Sequence, residues 1–241
     1  MDKKEISHKN NTAELPLDAS MLKLIALVAM TIDHVGLVLL HDAEPFRIIG
    51  RISFPIFAYM IALGCHYTHD KKKHFAGILF LGIICQIVYF VSERSLYQGV
   101  MMDFSLAILL IYAIEWAKKR KKIQAWLLPA GMFGLILFLS VLLPALWKES
   151  GLSFDYGFWG IMLQVWACLS EAPKKRWGLL AIGLLILCVS EGGLQWYSLL
   201  SLPLLALYNG KRGLSIKIFF YIYYPLHLVL IYLLAMLLGV M

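Results

Sequence analysis

The sequence predicts an all-α fold: a polytopic integral membrane helix bundle of about nine transmembrane helices with its N-terminus in the cytoplasm. Three observations predict it. Hydrophobic residues make up 61% of the 241 and charged residues only 15%, where a soluble domain carries about 25% charged residues to cover its surface; the mean hydropathy is +0.75. The apolar stretches are continuous and of helix-spanning length, rather than the alternating ten-residue strands of a barrel. The lysines and arginines gather between those stretches, on every second connection.

Nine apolar segments follow one another at 22–41, 46–67, 75–92, 102–117, 124–146, 156–170, 177–190, 194–208 and 217–240. A full crossing takes about 20 residues, so segments six to eight are short, and tilted, broken or re-entrant paths are expected there. Lys3, Lys4, Lys9 and Lys23 precede or open the first segment. Lys71, Lys72 and Lys73 follow the second, and Lys118, Lys119, Arg120, Lys121 and Lys122 the fourth. Lys174, Lys175 and Arg176 follow the sixth, and Lys211, Arg212 and Lys217 the eighth. Eighteen of the 22 basic residues thus fall on one side, leaving Arg47, Arg51, Arg94 and Lys148 on the other. Positive loops stay in the cytoplasm, which sets the orientation. The net charge of +7 then reflects those loops, and no nucleic-acid partner is expected. Trp116, Trp126, Trp147, Trp159, Trp177 and Trp196 lie near segment ends, as interfacial anchors do.

Residues 1–21 read as a polar cytoplasmic N-terminus and 22–241 as a single transmembrane domain. The first apolar run is too long for a cleaved leader and lacks a small-residue cleavage site, so no signal peptide is expected. Cys65, Cys85, Cys168 and Cys188 lie in or at the ends of apolar segments without CxxC spacing, which reads as buried thiols rather than a disulfide or metal framework.

Asp33 and His34 stand side by side inside the first segment. A charge at the centre of a bilayer costs about 2.5–3.5 kcal/mol on insertion scales, so an intramembrane ionisable pair marks a functional site by default. His34 is eleven residues beyond Lys23, about 16 Å deeper at 1.5 Å per residue and on the same helix face, which puts it near the middle of a core about 30 Å thick. Asp33 is turned about 100° away, toward a neighbouring helix. Arg47 and Arg51 share a face of the second helix, and an arginine there makes burial of the aspartate tolerable. Pro55 follows one turn later and should kink that helix. In the last segment His227 lies about 15 Å beyond Lys217, level with His34, with Tyr223, Tyr224 and the helix-disrupting Pro225 on the turn before it. Two histidines, an aspartate and an arginine from three helices are therefore expected to converge, the competing reading being that such residues only hold helices together. Arg47, nearest the interface, also suits a snorkelling role.

Weaker signals remain. His66, His69, Asp70 and His74 offer metal-type ligands, but three lysines follow at once, and a solvated helix end is the favoured reading. Gln86, Tyr89 and Gln164 suit either a pocket wall or interhelical bonding. Asp103 at the outer end of segment four, and Asp155 and Tyr156 in an outer loop, are placed to meet an external substrate, or to be plain solvated loop groups.

Three stretches, LKLIALVAMTIDHVG (22–36), RIIGRISFPIFAYMIALGCHYTHD (47–70) and YIYYPLHL (221–228), resemble the TraX family in order and spacing. These are conjugation-associated membrane proteins that acetylate the N-terminus of pilin, and the family looks like a member of a wider transmembrane acyltransferase superfamily. The sugar acyltransferases of that superfamily carry an Arg and a His eleven positions apart in their first helix; the matching positions here are Lys23 and His34. The resemblance implies acetyl-CoA as acyl donor, no metal, and a bacterial inner-membrane location. It implies donor binding by Lys23, Lys71, Lys72, Lys73 and Tyr224. His34 would be general base or acyl carrier, with Asp33 orienting it, His227 beside it and Arg51 holding the aspartate or an oxyanion. A peptide or glycan acceptor would enter past Arg47 and Asp103. A proton-coupled transporter or a non-enzymatic pilus or peptide assembly factor are the competing classes.

Overall fold

The structure, a computed structural model, describes residues 15–240. Lys3, Lys4 and Lys9 and most of the predicted N-terminal region lie outside them. Among the described residues the regular structure is all helical, with isolated backbone bridges at Leu17–Tyr208 and Gln98–Phe154 in place of any strand. Among the described residues, six helices are long and apolar enough to cross a membrane: α1 (Ala19–Leu39), α2 (Glu44–Tyr67), α3 (Lys71–Glu93), α4 (Val100–Arg120), α5 (Ile123–Leu146) and α9 (Lys217–Leu238).

The expected nine spans are not matched one for one. The sixth segment becomes α6 (Gly157–Cys168), twelve residues and so about 18 Å long, short of a core about 30 Å thick. The seventh becomes α7 (Pro173–Glu191), whose first turn holds Lys174, Lys175 and Arg176. The eighth is a 3₁₀ run, Gly193–Leu200, continued by α8 (Ser201–Ala206). A 3₁₀ turn rises about 2 Å per residue against 1.5 Å for an α-helix, so this segment gains length without gaining residues.

Local chemistry sets the helix ends. Asp18 caps α1, accepting from the Met21 N–H at 2.9 Å and from the Ser20 hydroxyl at 2.6 Å; the Ser20 hydroxyl bond holds its carboxyl below the usual range. The loop before α9 presses Gly213 (φ +67°) on this cap, where a Cβ would come within 2.4 Å of the Asp18 side chain. Asp70 caps α3, accepting from Lys73 N–H at 3.0 Å. The helical run of α1 loosens into a π turn, Val35–Leu39, straight after His34, a feature frequent at functional sites. In α2 the helix breaks at Arg51–Ile52, between Glu44–Gly50 and Ser53–Tyr67. Pro55 explains the break: it has no N–H to offer the carbonyl four residues back, that of Arg51, and its ring crowds that carbonyl. Pro225, by contrast, sits inside an α9 that runs on past it.

α2, α4 and α6 form the centre, with Ala58, Ala62, Ala107 and Ala167 all fully buried where the helices meet; small residues permit such close approach. α3 and α5 turn Phe80, Ile83, Ile87, Leu127 and Leu135 outward, as a lipid-facing surface would. Together these features define a multi-pass helical membrane protein. The segment between α5 and α6 folds back over the bundle: Gln98 N–H donates to Ser153 O (2.7 Å), Asp155 N–H to Gln98 O (3.0 Å) and Tyr156 N–H to the Asp103 carboxylate (3.1 Å). Tyr156 then stacks on Phe54 with ring centroids 3.6 Å apart.

Loss of the α1 cap in Asp18→Ala should lower stability by about 1 kcal/mol, and Gly213→Ala should cost at least as much because a side chain meets the same cap at positive φ. Thermal melting in detergent measures both.

Candidate active site

Asp33 is held by two arginines of α2. Arg47 Nη1 donates to its Oδ2 at 2.6 Å, and Arg51 Nη2 reaches Oδ1 and Oδ2 at 3.1 and 3.2 Å. Arg47 also pairs through Nε with Asp42 at 3.0 Å, so it is an internal ligand of Asp33 rather than a snorkelling side chain. The carboxylate rests directly on the α2 backbone: a Cβ built on Gly50 would lie 2.1 Å from Asp33 Oδ1. Only a glycine lets α1 and α2 close here. Arg51 Nε is buried and has no hydrogen-bond partner among the described residues.

His34 Nδ1 lies 2.8 Å from the Met30 carbonyl oxygen. A carbonyl only accepts, so Nδ1 carries the proton and Nε2 of the neutral ring keeps its lone pair. Facing that Nε2, at 3.4 Å, is the Tyr89 hydroxyl. The His227 ring stands nearly perpendicular to His34 with centroids 5.1 Å apart. His227 Nδ1 is likewise 3.1 Å from the Tyr223 carbonyl, and its Nε2 is buried without a partner among the described residues. Tyr223 stacks flat on His227 (centroids 5.4 Å) and shares a 2.8 Å hydrogen bond with Thr31. The expected convergence of α1, α2 and α9 is therefore present, and α3 joins it through Tyr89.

Part of this cluster borders a cavity of about 540 Å³, whose wall includes His34 but not His227, which packs behind it. Asp33, His34, Arg47, Arg51, Tyr89 and Tyr224 are in its wall, and so are Glu93, Tyr97, Asp155 and Tyr232. It lies toward the end of the bundle that holds Arg47, Ser95 and Ser153. A second cavity of about 210 Å³ lies toward the opposite end, walled by Lys23, Arg212, Ser215 and Lys217. Phe57 and Tyr224 line both cavities.

Other expected residues are placed elsewhere. Asp103 is wholly buried beneath the α5–α6 segment, where it accepts the Tyr156 N–H; it borders neither cavity. Lys71, Lys72 and Lys73 also border neither: Lys71 is bound by Glu115 and lies 4.8 Å over the Tyr112 ring, and Lys73 pairs with Asp70 at 3.2 Å. His74 Nδ1 meets the Tyr112 hydroxyl at 2.8 Å, and among the described residues no three His, Cys, Asp or Glu groups are grouped to hold a metal ion. Gln86 donates to the Tyr97 carbonyl at 2.6 Å, bonding α3 to the loop after it.

The residues that sequence reasoning undervalued are Asp155, Glu93, Tyr97 and Tyr232. Asp155 reads as a solvated loop carboxylate, yet the fold-back segment carries it into the cavity wall. Burial pushes its carboxyl above the ordinary range, against the Tyr97 hydroxyl and the Arg51 charge; burial also raises the Tyr97 phenol. Glu93 receives the Tyr232 hydroxyl. A carboxylate at the end of a span and a tyrosine two turns before a C-terminus carry no motif of their own.

A charged and aromatic cavity inside a multi-pass helical bundle is therefore the candidate site. The chain belongs to the TraX family: the family described as TraX protein matches residues 18–235. It is 25% identical over 244 residues to the "Probable fimbrial assembly protein FimC, serogroup H1" of Dichelobacter nodosus, covering 90% of this chain and 95% of that one. It is 28% identical over 151 residues to "Protein TraX" of Escherichia coli, covering 61% of this chain and 54% of the relative. An uncharacterized Rickettsia prowazekii protein is 27% identical over 157 residues, covering 65% and 57%. No solved structure matches the chain.

Removing the carboxylate in Asp33→Ala leaves Arg47 and Arg51 unneutralised inside the bundle and should cost about 3 kcal/mol. Gly50→Ala should destabilise as well, by forcing Asp33 off the α2 backbone. Thermal melting in detergent tests both, with Asp42→Ala, at the exposed end of the Arg47 bridge, as the mild control.

Proposed function

We propose that this protein is a membrane-embedded acyltransferase of the bacterial inner membrane that moves an acetyl group from cytoplasmic acetyl-CoA to an acceptor on the far side. The acceptor would be a peptide N-terminal amine or a surface glycan. The observation that carries the reading is the pair of cavities meeting at Phe57 and Tyr224, one holding His34 and the other three cations. A donor with a polyanionic head and a long thin arm suits that arrangement: Lys23, Arg212 and Lys217 receive the phosphates, and the arm passes between Phe57 and Tyr224 toward His34. Lys23 meets phosphate as a point charge, without the planar fork of an arginine.

His34 acts through Nε2, the nitrogen not used by the Met30 hydrogen bond and faced by the Tyr89 hydroxyl, as general base toward the acceptor or as the nitrogen that carries the acyl group. Asp33 holds α1 and α2 in register rather than contacting the imidazole, because both its oxygens are taken by arginines. Arg51 retains an unpartnered Nε that can donate to a developing oxyanion. His227, packed against His34, keeps the ring upright and the site dry. The name of the Dichelobacter nodosus relative, a fimbrial assembly protein, favours a peptide acceptor and also keeps a non-enzymatic assembly role as the second reading.

Purified protein in detergent, given acetyl-CoA and a peptide with a free N-terminus, should release CoA and raise the peptide mass by one acetyl group. His34→Ala should lower the rate by about 10²–10⁴-fold while still inserting and melting like wild type; retained turnover would refute the assignment. Phe57→Trp should raise the KM for acetyl-CoA by narrowing the passage. Absence of transfer by wild type, with the protein still required for fimbrial assembly in cells, would favour the assembly role.

A further inference from the structure

We propose that Asp155 is a second base in the His34 cavity, dedicated to an amine acceptor: its carboxylate takes a proton from the incoming ammonium, and His34 takes the proton shed when the freed amine attacks. The inference rests on the acyl-transfer reading above.

The need for a second base is chemical. A hydroxyl acceptor loses one proton on becoming an ester. A peptide α-amine, with an ordinary pKa of about 7.7–8.0, arrives largely protonated at neutral pH, has no lone pair in that form, and must lose two protons on becoming an amide. His34 can take only one, because Nδ1 is committed to Met30 and only Nε2, which the Tyr89 hydroxyl faces at 3.4 Å, keeps a lone pair.

The other carboxylates near the cavity are placed less well. Asp33 is saturated by Arg47 and Arg51, Asp103 lies outside the cavity wall, and Glu93, which like Asp155 receives a tyrosine hydroxyl, is an exposed residue at the end of α3. Asp155 lines the same cavity as His34, and no lysine or arginine among the described residues lies within ion-pair distance of it. Its backbone is pinned by the bond to Gln98 O at 3.0 Å, so the side chain is presented by a fixed segment. The groups that act on it are Arg51 from α2, Asp33 and His34 from α1, and the Tyr97 hydroxyl from the loop after α3. It in turn acts on Asp103 from α4 and Tyr224 from α9. Burial raises its carboxyl above the ordinary range, which makes it a stronger base than an exposed aspartate.

The steps balance. The ammonium gives one proton to Asp155 and becomes an amine. The amine nitrogen bonds to the thioester carbonyl carbon, the carbon–sulfur bond breaks, and the thiolate leaves. The proton on the new nitrogen passes to His34 Nε2 and on to the thiolate, giving the thiol. Asp155 releases its proton to water, so the net reaction is ammonium plus thioester giving amide, thiol and one proton.

The test compares two acceptors with acetyl-CoA as donor: a short peptide with a free N-terminal amine, and acetohydrazide, whose terminal nitrogen is already neutral at the assay pH. Asp155→Asn should lower kcat/KM for the peptide by about a hundredfold, within the range for proton-transfer catalysis, and should slow the hydrazide by less than about threefold. Asp155→Glu should restore part of the peptide rate. The pH profile separates a chemical from a structural role. With wild type the peptide rate should level off well below the pKa of the peptide amine; with Asp155→Asn it should climb up to that pKa, because the free amine must then come from solution. Equal losses on both acceptors, no loss on either, or a wild-type profile that climbs to the amine pKa would overturn the assignment. The wild-type profile needs no variant and decides the matter even if Asp155→Asn does not fold. A wild type that transfers to neither acceptor would instead overturn the acyl-transfer reading itself.

Discussion

A carboxylate set inside a transmembrane helix has to be neutralised where it stands, and the bond from Asp33 to Arg47 and Arg51 does this. The surrounding structure is arranged so that three charged groups from two helices can meet. Gly50 lets the aspartate lie on the α2 backbone. The break that Pro55 imposes at Arg51–Ile52 gives Arg51 its approach to the same carboxylate as Arg47, one helical turn earlier. The π turn after His34 ends α1 in a way that returns the chain to α2 through the short His41–Asp42 turn. Each of these features serves that pairing, while the imidazole next door is oriented separately, by the Met30 carbonyl one turn earlier.

The cavity that results is aromatic as much as it is charged. Tyr89, Tyr97, Tyr224 and Tyr232 present hydroxyls at fixed points on rigid rings, a set of donors that adds no net charge to a bundle interior. The two histidines are each tied to a backbone carbonyl one turn earlier, so their free nitrogens are directed by the helices themselves. In the proposed reaction this matters because the basic nitrogen is chosen before any substrate arrives.

How much of this was legible in the sequence follows from the range of the interactions. Apolar length and charge bias gave the helical membrane class, since both are properties of single segments. The meeting of Asp33, His34, Arg51 and His227 was legible from rise per residue, because straight helices of similar length keep depth in register. What was hidden depends on backbone that departs from straight helices. The eighth segment became a 3₁₀ run, so counting residues misjudged its reach. The α5–α6 segment folded back, which buried Asp103 as a partner for Tyr156 and brought Asp155 into the cavity wall; two outer aspartates, one in the first turn of α4 and one in a loop, were sorted by the Tyr156 N–H donating to Asp103 and the Asp155 N–H donating to Gln98. Lys71 found Glu115 and Lys73 found Asp70, partners that a run of lysines does not announce, while Arg212 and Lys217 joined Lys23 through the docking of the loop at Gly213.

The sharing of Phe57 and Tyr224 by two opposed cavities has an electrical consequence. A bilayer spreads its potential over about 30 Å of hydrocarbon, and water filling both cavities would leave mainly a pair of aromatic rings to insulate one side from the other. Moving a unit charge through the full potential is worth about 2.3 kcal/mol per 100 mV. In such a bundle most of that drop would be compressed into the few ångströms beside His34, and the cell's resting voltage would act directly on any charge that forms there.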